Sequence, residues 1–283
     1  MASVPFRAAC VTLCSGRDPQ TNIEAASDFI RDAASDGVKF VFTPENTLLM
    51  EAGGKNLFAA VRAEGETPAV SQLAALAADL GIWIGVGSLA IKVAADKVAN
   101  RSFLMGPDGR VHGRYDKIHM FDVSLPDGET YHESKNYRPG DEAVVVPTPF
   151  GRVGLSVCYD LRFPALYRAL AQAGADYLTV PSAFTQVTGE AHWHVLLRAR
   201  AIETGCFVFA AAQSGTHENG RKTFGHSLIV DPWGQVLADG GTQTGFVAAD
   251  IDPAKVAQAR GRIPSLEHDR QFSLPDVTRR ATS

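Results

Sequence analysis

The sequence predicts an α/β protein built on a mixed sheet, or two stacked mixed sheets, with helices outside. Three observations lead there. Short apolar, β-branched runs recur along the whole chain, and helical patterns lie between many of them. Three stretches, GPDGRV (106–111), TPFGRV (148–153) and DPWGQV (231–236), share the form Pro-x-Gly-x-Val between strand-like runs. Proline presets the first turn position and glycine the later one, so each reads as a hairpin turn, and a purely parallel sheet does not fit. No linker or shift of composition breaks the chain, which reads as one domain over residues 1–283.

The elements follow in order. Strand-like runs are AACVTL (8–13), KFVFTP (39–44), IWIGVGSLAI (82–91), RSFLMG (101–106), VGLSVC (153–158), DYLTVP (176–181), CFVFAAA (206–212), HSLIVD (226–231) and GFVAADI (245–251). Helical spacing marks TNIEAASDFIRDAASDG, PAVSQLAALAADLG, PALYRALAQAG and EAHWHVLLRARAIETG, each closed by a glycine.

Composition narrows the function. The 283 residues are 45% hydrophobic and 20% charged, enough for a sizeable core, and the net charge is −4. No basic excess points to nucleic acid. The N-terminal stretch lacks the basic start and long apolar centre of a signal peptide, and no apolar run approaches the roughly 20 residues of a membrane helix. The expected compartment is the cytoplasm. The four cysteines fit no zinc spacing, and Cys10, Cys14 and Cys206 read as small buried hydrophobes.

Ligands of α/β sheets gather at the carboxyl ends of strands. Glu45 follows KFVFTP, Lys117 follows VHGRYD, and Cys158 closes VGLSVC. Singly, Glu45 could be a cap and Lys117 a solvated charge. Together they make chemical sense. A thiolate is a strong nucleophile, an ammonium nearby favours it, and a carboxylate can take the thiol proton and later pass it to a leaving group. No histidine sits in a cysteine-protease signature. A redox cycle at Cys158 would want a resolving cysteine at close spacing, and none is present.

FTPENTLL, RYDKIHMFD and GLSVCYDLRFP, in that order, resemble the nitrilase superfamily of carbon–nitrogen hydrolases over nearly the whole chain. The resemblance implies a four-layer α-β-β-α sandwich and a homodimer or larger homo-oligomer. It implies Cys158 as nucleophile, Glu45 as general base and Lys117 as electrostatic helper. Glu133, in YHESKNY, matches a second glutamate that orients the lysine or the substrate. A non-catalytic binding protein on the same fold would show a broken triad, and this one is intact.

CYDLRFP, SAFTQVTGEAHWHVLLRARAIET and FGHSLIVDPWG resemble the branch holding the deaminated-glutathione amidases and omega-amidases, the former more closely. That implies a small amide bearing a carboxylate as substrate, with deaminated glutathione ahead of 2-oxoglutaramate, hydrolysed through a Cys158 thioester without metal or organic cofactor. Tyr159 would lend its backbone N–H to the oxyanion. Arg162, unless bound in a salt bridge with Asp160 or Glu45, would meet the carboxylate. Phe184, Thr185 and His192 would help line the pocket. One letter departs from the pattern: Ala165 stands where the family usually has a first-turn glutamate.

Overall fold

A computed structural model describes residues 4–51, 54–126 and 128–273. The first half runs β1 (Phe6–Thr12), α1 (Pro19–Ser35), β2 (Phe40–Phe42), α2 (Gly54–Ala60), α3 (Pro68–Leu80), β3 (Trp83–Lys92), β4 (Val98–Met105) and β5 (Val111–Asp116). A small hairpin, β6 (Asp122–Ser124) and β7 (Thr130–His132), follows. The second half runs β8 (Val145–Thr148), β9 (Gly151–Gly154), α4 (Pro164–Gln172), β10 (Tyr177–Thr179), α5 (Gln186–Thr204) and β11 (Phe207–Ala210). A second small hairpin, β12 (Ser214–Thr216) and β13 (Lys222–Phe224), precedes β14 (Leu228–Val230) and β15 (Val236–Asp239). Last come β16 (Gly245–Ile251) and α6 (Ala254–Arg262).

Two six-stranded mixed sheets result, ordered β16-β1-β2-β3-β4-β5 and β8-β9-β10-β11-β14-β15. Read in these directions, neighbours pair antiparallel, parallel, parallel, antiparallel, antiparallel in both sheets. The two halves of the chain thus build the same sheet twice. β16 breaks the simple order by returning to pair with all seven residues of β1.

Strand periodicity places the layers. In β1, Ala8 and Cys10 face the core between the sheets, while Ala9 and Val11 face the core beneath α1 and α3. Phe40 and Phe42 point inward and Val41 outward; Leu104 points inward, Phe103 and Met105 outward. Both faces are covered, so these strands read as continuous apolar runs. α1 brings Ile23, Ala26, Ile30 and Ala33 to the outer face of the first sheet. α4 and α5 bring Leu166, Leu170, Trp193 and Leu197 to the second. Between the sheets Phe42 stacks on Phe209 at 4.6 Å. The arrangement is the four-layer α-β-β-α sandwich.

The three Pro-x-Gly turns join β4 to β5, β8 to β9 and β14 to β15, all antiparallel pairs. Two expectations are corrected. The run VGLSVC is not strand to its end: β9 stops at Gly154, and Cys158 opens a 3-10 turn, Cys158–Arg162. Cys14 is not a buried hydrophobe; it is exposed, its thiol 3.8 Å from Thr216 O and from His217 Nδ1. Cys10 and Cys206 are buried.

Candidate active site

Glu45 lies three residues past the end of β2, in a turn that the neighbouring strand must let in. A Cβ on Gly87 of β3 would meet Thr43 O at 2.1 Å and Pro44 O at 2.3 Å, so only glycine permits that approach. Asn46, next in the chain, has φ of 57°, a region that asparagine tolerates better than most residues. Lys117 follows β5 directly, its N–H held by Asn100 O at 2.9 Å. Cys158 has φ of 50°, a strained value for a residue with a β-carbon.

Asp160 accounts for that strain. Its buried carboxylate accepts the Val157 N–H at 2.8 Å, the Tyr115 hydroxyl at 2.7 Å and the His119 N–H at 3.1 Å. Its Oδ1 also lies 2.7 Å from His119 Nδ1. The Cys158 N–H donates to Pro181 O at 2.9 Å. The thiol is thus presented at the first turn of a short helix, where backbone N–H groups lack intrahelical acceptors and the Tyr159 N–H lies beside the sulfur in sequence.

The three side chains converge. Glu45 Oε1 accepts from Lys117 Nζ at 3.0 Å and from Asn100 Nδ2 at 2.9 Å; Oε2 accepts the Ala183 N–H at 2.9 Å. Lys117 Nζ also donates to both oxygens of Glu133, at 3.0 and 2.8 Å. Glu133 is held in turn by the Phe121 N–H at 2.6 Å and by Asn100 Nδ2 at 3.3 Å. Glu45, Lys117 and Cys158 are 3%, 1% and 6% exposed, so these charges act with little screening by water.

The charge states follow from this packing. Burial, the largest influence, pushes the Glu45 carboxyl up, but Lys117, the facing Cys158 thiol and Arg221 outweigh it, and the group titrates below its ordinary value. Burial pulls the Lys117 ammonium down, but Glu133 and Glu45 hold it well above its usual range. Burial and then the Glu45 charge push the Cys158 thiol up, and Lys117 offsets them only in part. The resting centre is therefore carboxylate, ammonium and neutral thiol. The ammonium does not by itself produce the thiolate that the sequence suggested.

These groups open onto a cavity of about 550 Å³, within the range of small-molecule sites. Tyr159, Arg162, Phe184 and Thr185 line it, as do Glu133, Tyr131 and Arg221. Arg162 pairs with neither Asp160 nor Glu45, the alternative weighed from sequence. It lies over the rings of Phe184 at 5.4 Å and Tyr159 at 6.0 Å. His192 does not line the cavity; its Nδ1 is 3.3 Å from the Arg162 Nη atoms, behind that side chain. Trp193 is core, packed on Phe184 at 4.8 Å. Ala165 is exposed and off the cavity.

Sequence reasoning missed Asn100, Asp160 and Arg221. Asn100 stands with Arg101 and Ser102 in a polar break of β4 (VANRSFLM), and the signal is its burial: a buried amide must have partners. Away from the cavity, His194, His226 and Asp239 bring possible metal-ligand atoms within 4.8 Å of one another. Asp239 there already takes both imidazoles, at 3.0 and 2.8 Å.

Residues 7–261 match the family described as carbon-nitrogen hydrolase. The chain is 40% identical over 268 residues to the deaminated glutathione amidase of Yersinia enterocolitica, covering 94% of this chain and 93% of that protein. It is 36% identical over 265 residues to the omega-amidase of Homo sapiens, covering 94% and 95%. A solved mutant of the amidase from Nesterenkonia sp. AN1 superposes with a TM-score of 0.77 at 28% identity, covering 89% of this chain and 92% of that one. That structure shows covalent addition of the acetamide moiety of fluoroacetamide at the active-site cysteine.

Proposed function

The chain belongs to the carbon-nitrogen hydrolase family and is a hydrolase of C–N bonds other than peptide bonds, and from that premise we propose that it hydrolyses deaminated glutathione through a thioester on Cys158. The observation that carries the reading is the contact set of Glu45, Lys117, Glu133 and Cys158 lining one cavity.

The chemistry follows from the charge states. As the Cys158 sulfur attacks the amide carbonyl, Glu45 takes the thiol proton, so no free thiolate is needed beforehand. The oxyanion develops beside the Lys117 ammonium and the Tyr159 N–H, and a preorganised donor of this kind contributes about 3–4 kcal/mol to transition-state stabilisation. Glu45 passes its proton to the departing amine. It then takes one from water as the water oxygen attacks the thioester, and returns it to the departing Cys158 sulfur, so that the acid is freed and both the thiol and the Glu45 carboxylate are restored. Glu133 keeps Lys117 charged and in place. Arg162, which lines the same cavity as Cys158 and has no carboxylate partner among the described residues, takes the carboxylate of the acyl half.

The test compares kcat/KM for deaminated glutathione and for 2-oxoglutaramate, with mass spectrometry of the enzyme during turnover. A larger value for the first and an acyl adduct on Cys158 support the reading. A larger value for 2-oxoglutaramate makes the enzyme an omega-amidase. Full activity in Cys158→Ala overturns the mechanism.

The working form we propose is a homodimer or larger homo-oligomer, in the cytoplasm. Val195 (68% exposed) and Ile202 (53%) lie one heptad apart on α5, and Trp233 (55%) sits in the neighbouring turn, whose Gly234 abuts Ile202. Such an apolar patch favours a partner surface. A reactive thiol favours a reducing compartment.

A further inference from the structure

Arg221 is the cation of the cavity that the mechanism leaves unused. It closes the turn at the tip of the β12–β13 hairpin, just before β13, and its backbone is pinned by Asn219 Oδ1 at 3.0 Å and by the His217 N–H at 2.9 Å. Its guanidinium lies 5.2 Å from the Tyr131 ring, and Nη2 donates to Ala183 O. It makes no ion pair among the described residues, and its Nε is buried with no hydrogen-bond partner. The buried Glu45 carboxylate feels its charge but makes no ion pair with it, and the Nε–H in particular carries a desolvation cost that no acceptor among the described residues offsets. An anion in the cavity would offset it, and a carboxylate fits the guanidinium fork.

Its place says which half of the substrate carries that anion. Ala183 links Arg221 to the base: its carbonyl takes the Arg221 Nη2–H, and its N–H holds Glu45 Oε2. Glu45 must reach the leaving nitrogen to protonate it, so the leaving group departs on the Glu45 side. Arg162 belongs instead to the turn that presents Cys158, the side of the acyl carbon.

We propose that Arg221 is the subsite for a carboxylate on the amine half of the substrate, so that the enzyme selects amides whose leaving group is itself an acid. The proposal rests on the amidase reading above and adds to it. Two arginines, each without a carboxylate of its own, suit a substrate with an anion on either side of the scissile bond. Deaminated glutathione, which releases cysteinylglycine, has that form; 2-oxoglutaramate, which releases ammonia, does not.

The test uses three substrates with the full-length enzyme: deaminated glutathione, the same molecule with its terminal carboxylate converted to a carboxamide, and 2-oxoglutaramate. In the wild type, kcat/KM falls about tenfold to a hundredfold from carboxylate to carboxamide, the range for a lost charge-assisted hydrogen bond. In Arg221→Met that ratio drops towards one, and Arg221→Lys restores part of it. A wild-type ratio near one overturns the proposal without any variant, and so does an unchanged ratio in Arg221→Met. If the wild type hydrolyses none of the three, the amidase reading falls as well. If it hydrolyses all three but does not distinguish carboxylate from carboxamide, only the Arg221 assignment falls.

Discussion

Glu133 sets both carboxylate oxygens on the Lys117 ammonium, at 3.0 and 2.8 Å, while Glu45 touches it with one. The lysine is thereby held by the glutamate that does not face the thiol, which leaves Glu45 free to exchange protons. Glu133→Gln keeps the shape and removes the charge. The expected result is a fall in kcat of about tenfold to a hundredfold, read by steady-state kinetics, from the loss of charge-assisted bonds. An unchanged kcat would show that Glu45 alone positions Lys117.

The pH profile follows from the three coupled groups. In the proposed mechanism Glu45 acts as the anion, and its pKa lies below the ordinary 4.5, so kcat/KM should hold through neutrality and fall only beneath that value. Because the folded value is depressed, the same group stabilises the fold above about pH 4.5, and that stability goes as pH drops through the folded pKa. Lys117 lies well above 10.5 and the thiol above 9.0, so no alkaline loss and no thiolate-driven rise should appear between pH 7 and 9. A rise in rate with a midpoint near 8.5 would contradict a neutral resting thiol.

Asp160 is fully buried and faces four donor groups on Val157, Tyr115 and His119. Asp160→Asn turns one acceptor into a donor among them. Urea unfolding should show a loss of about 2–4 kcal/mol, the scale for breaking a buried charged network, and activity should fall with it because the Cys158 turn loses its tether. A variant of wild-type stability would show that the turn holds without the charge.

The first turn of α4 contains no acidic residue, and Ala165 in it is exposed. Ala165→Glu places a carboxylate against the positive end of the helix. The change should stabilise the protein by about 0.3–1 kcal/mol at low salt, and less at high salt, without altering KM. A shift in KM would mean that this position reaches the substrate after all.

Much of this was written in local patterns. Alternating strand and helix periods, glycine stops and Pro-x-Gly turns mark the elements, and Glu45 and Lys117 stand just past strands. What the pattern could not show is pairing at a distance. The apolar letters of LSV look like more strand, but β9 pairs with β10 only through Gly154, and Asp160 captures Val157 beyond it. Asn100 reads as part of a polar break in β4, beside Arg101 and Ser102, until Glu45 and Glu133 arrive from elsewhere. Arg221 lies on a hairpin tip, where a charge ordinarily means solvent. Nor does the sequence display the repeated pairing pattern of the two sheets, since unrelated residues build each copy.

The return of β16 to β1 bears on how the molecule is made. Residues 245–251 supply the outer neighbour of residues 6–12, so the first sheet stands with a bare edge until residue 251 has left the ribosome. Glu45 and Lys117 are translated early, yet the Ala183 N–H that fixes the base comes from the other sheet. A nascent chain therefore carries the parts of a hydrolase long before it carries a working one, with an unpaired strand edge exposed in the interval.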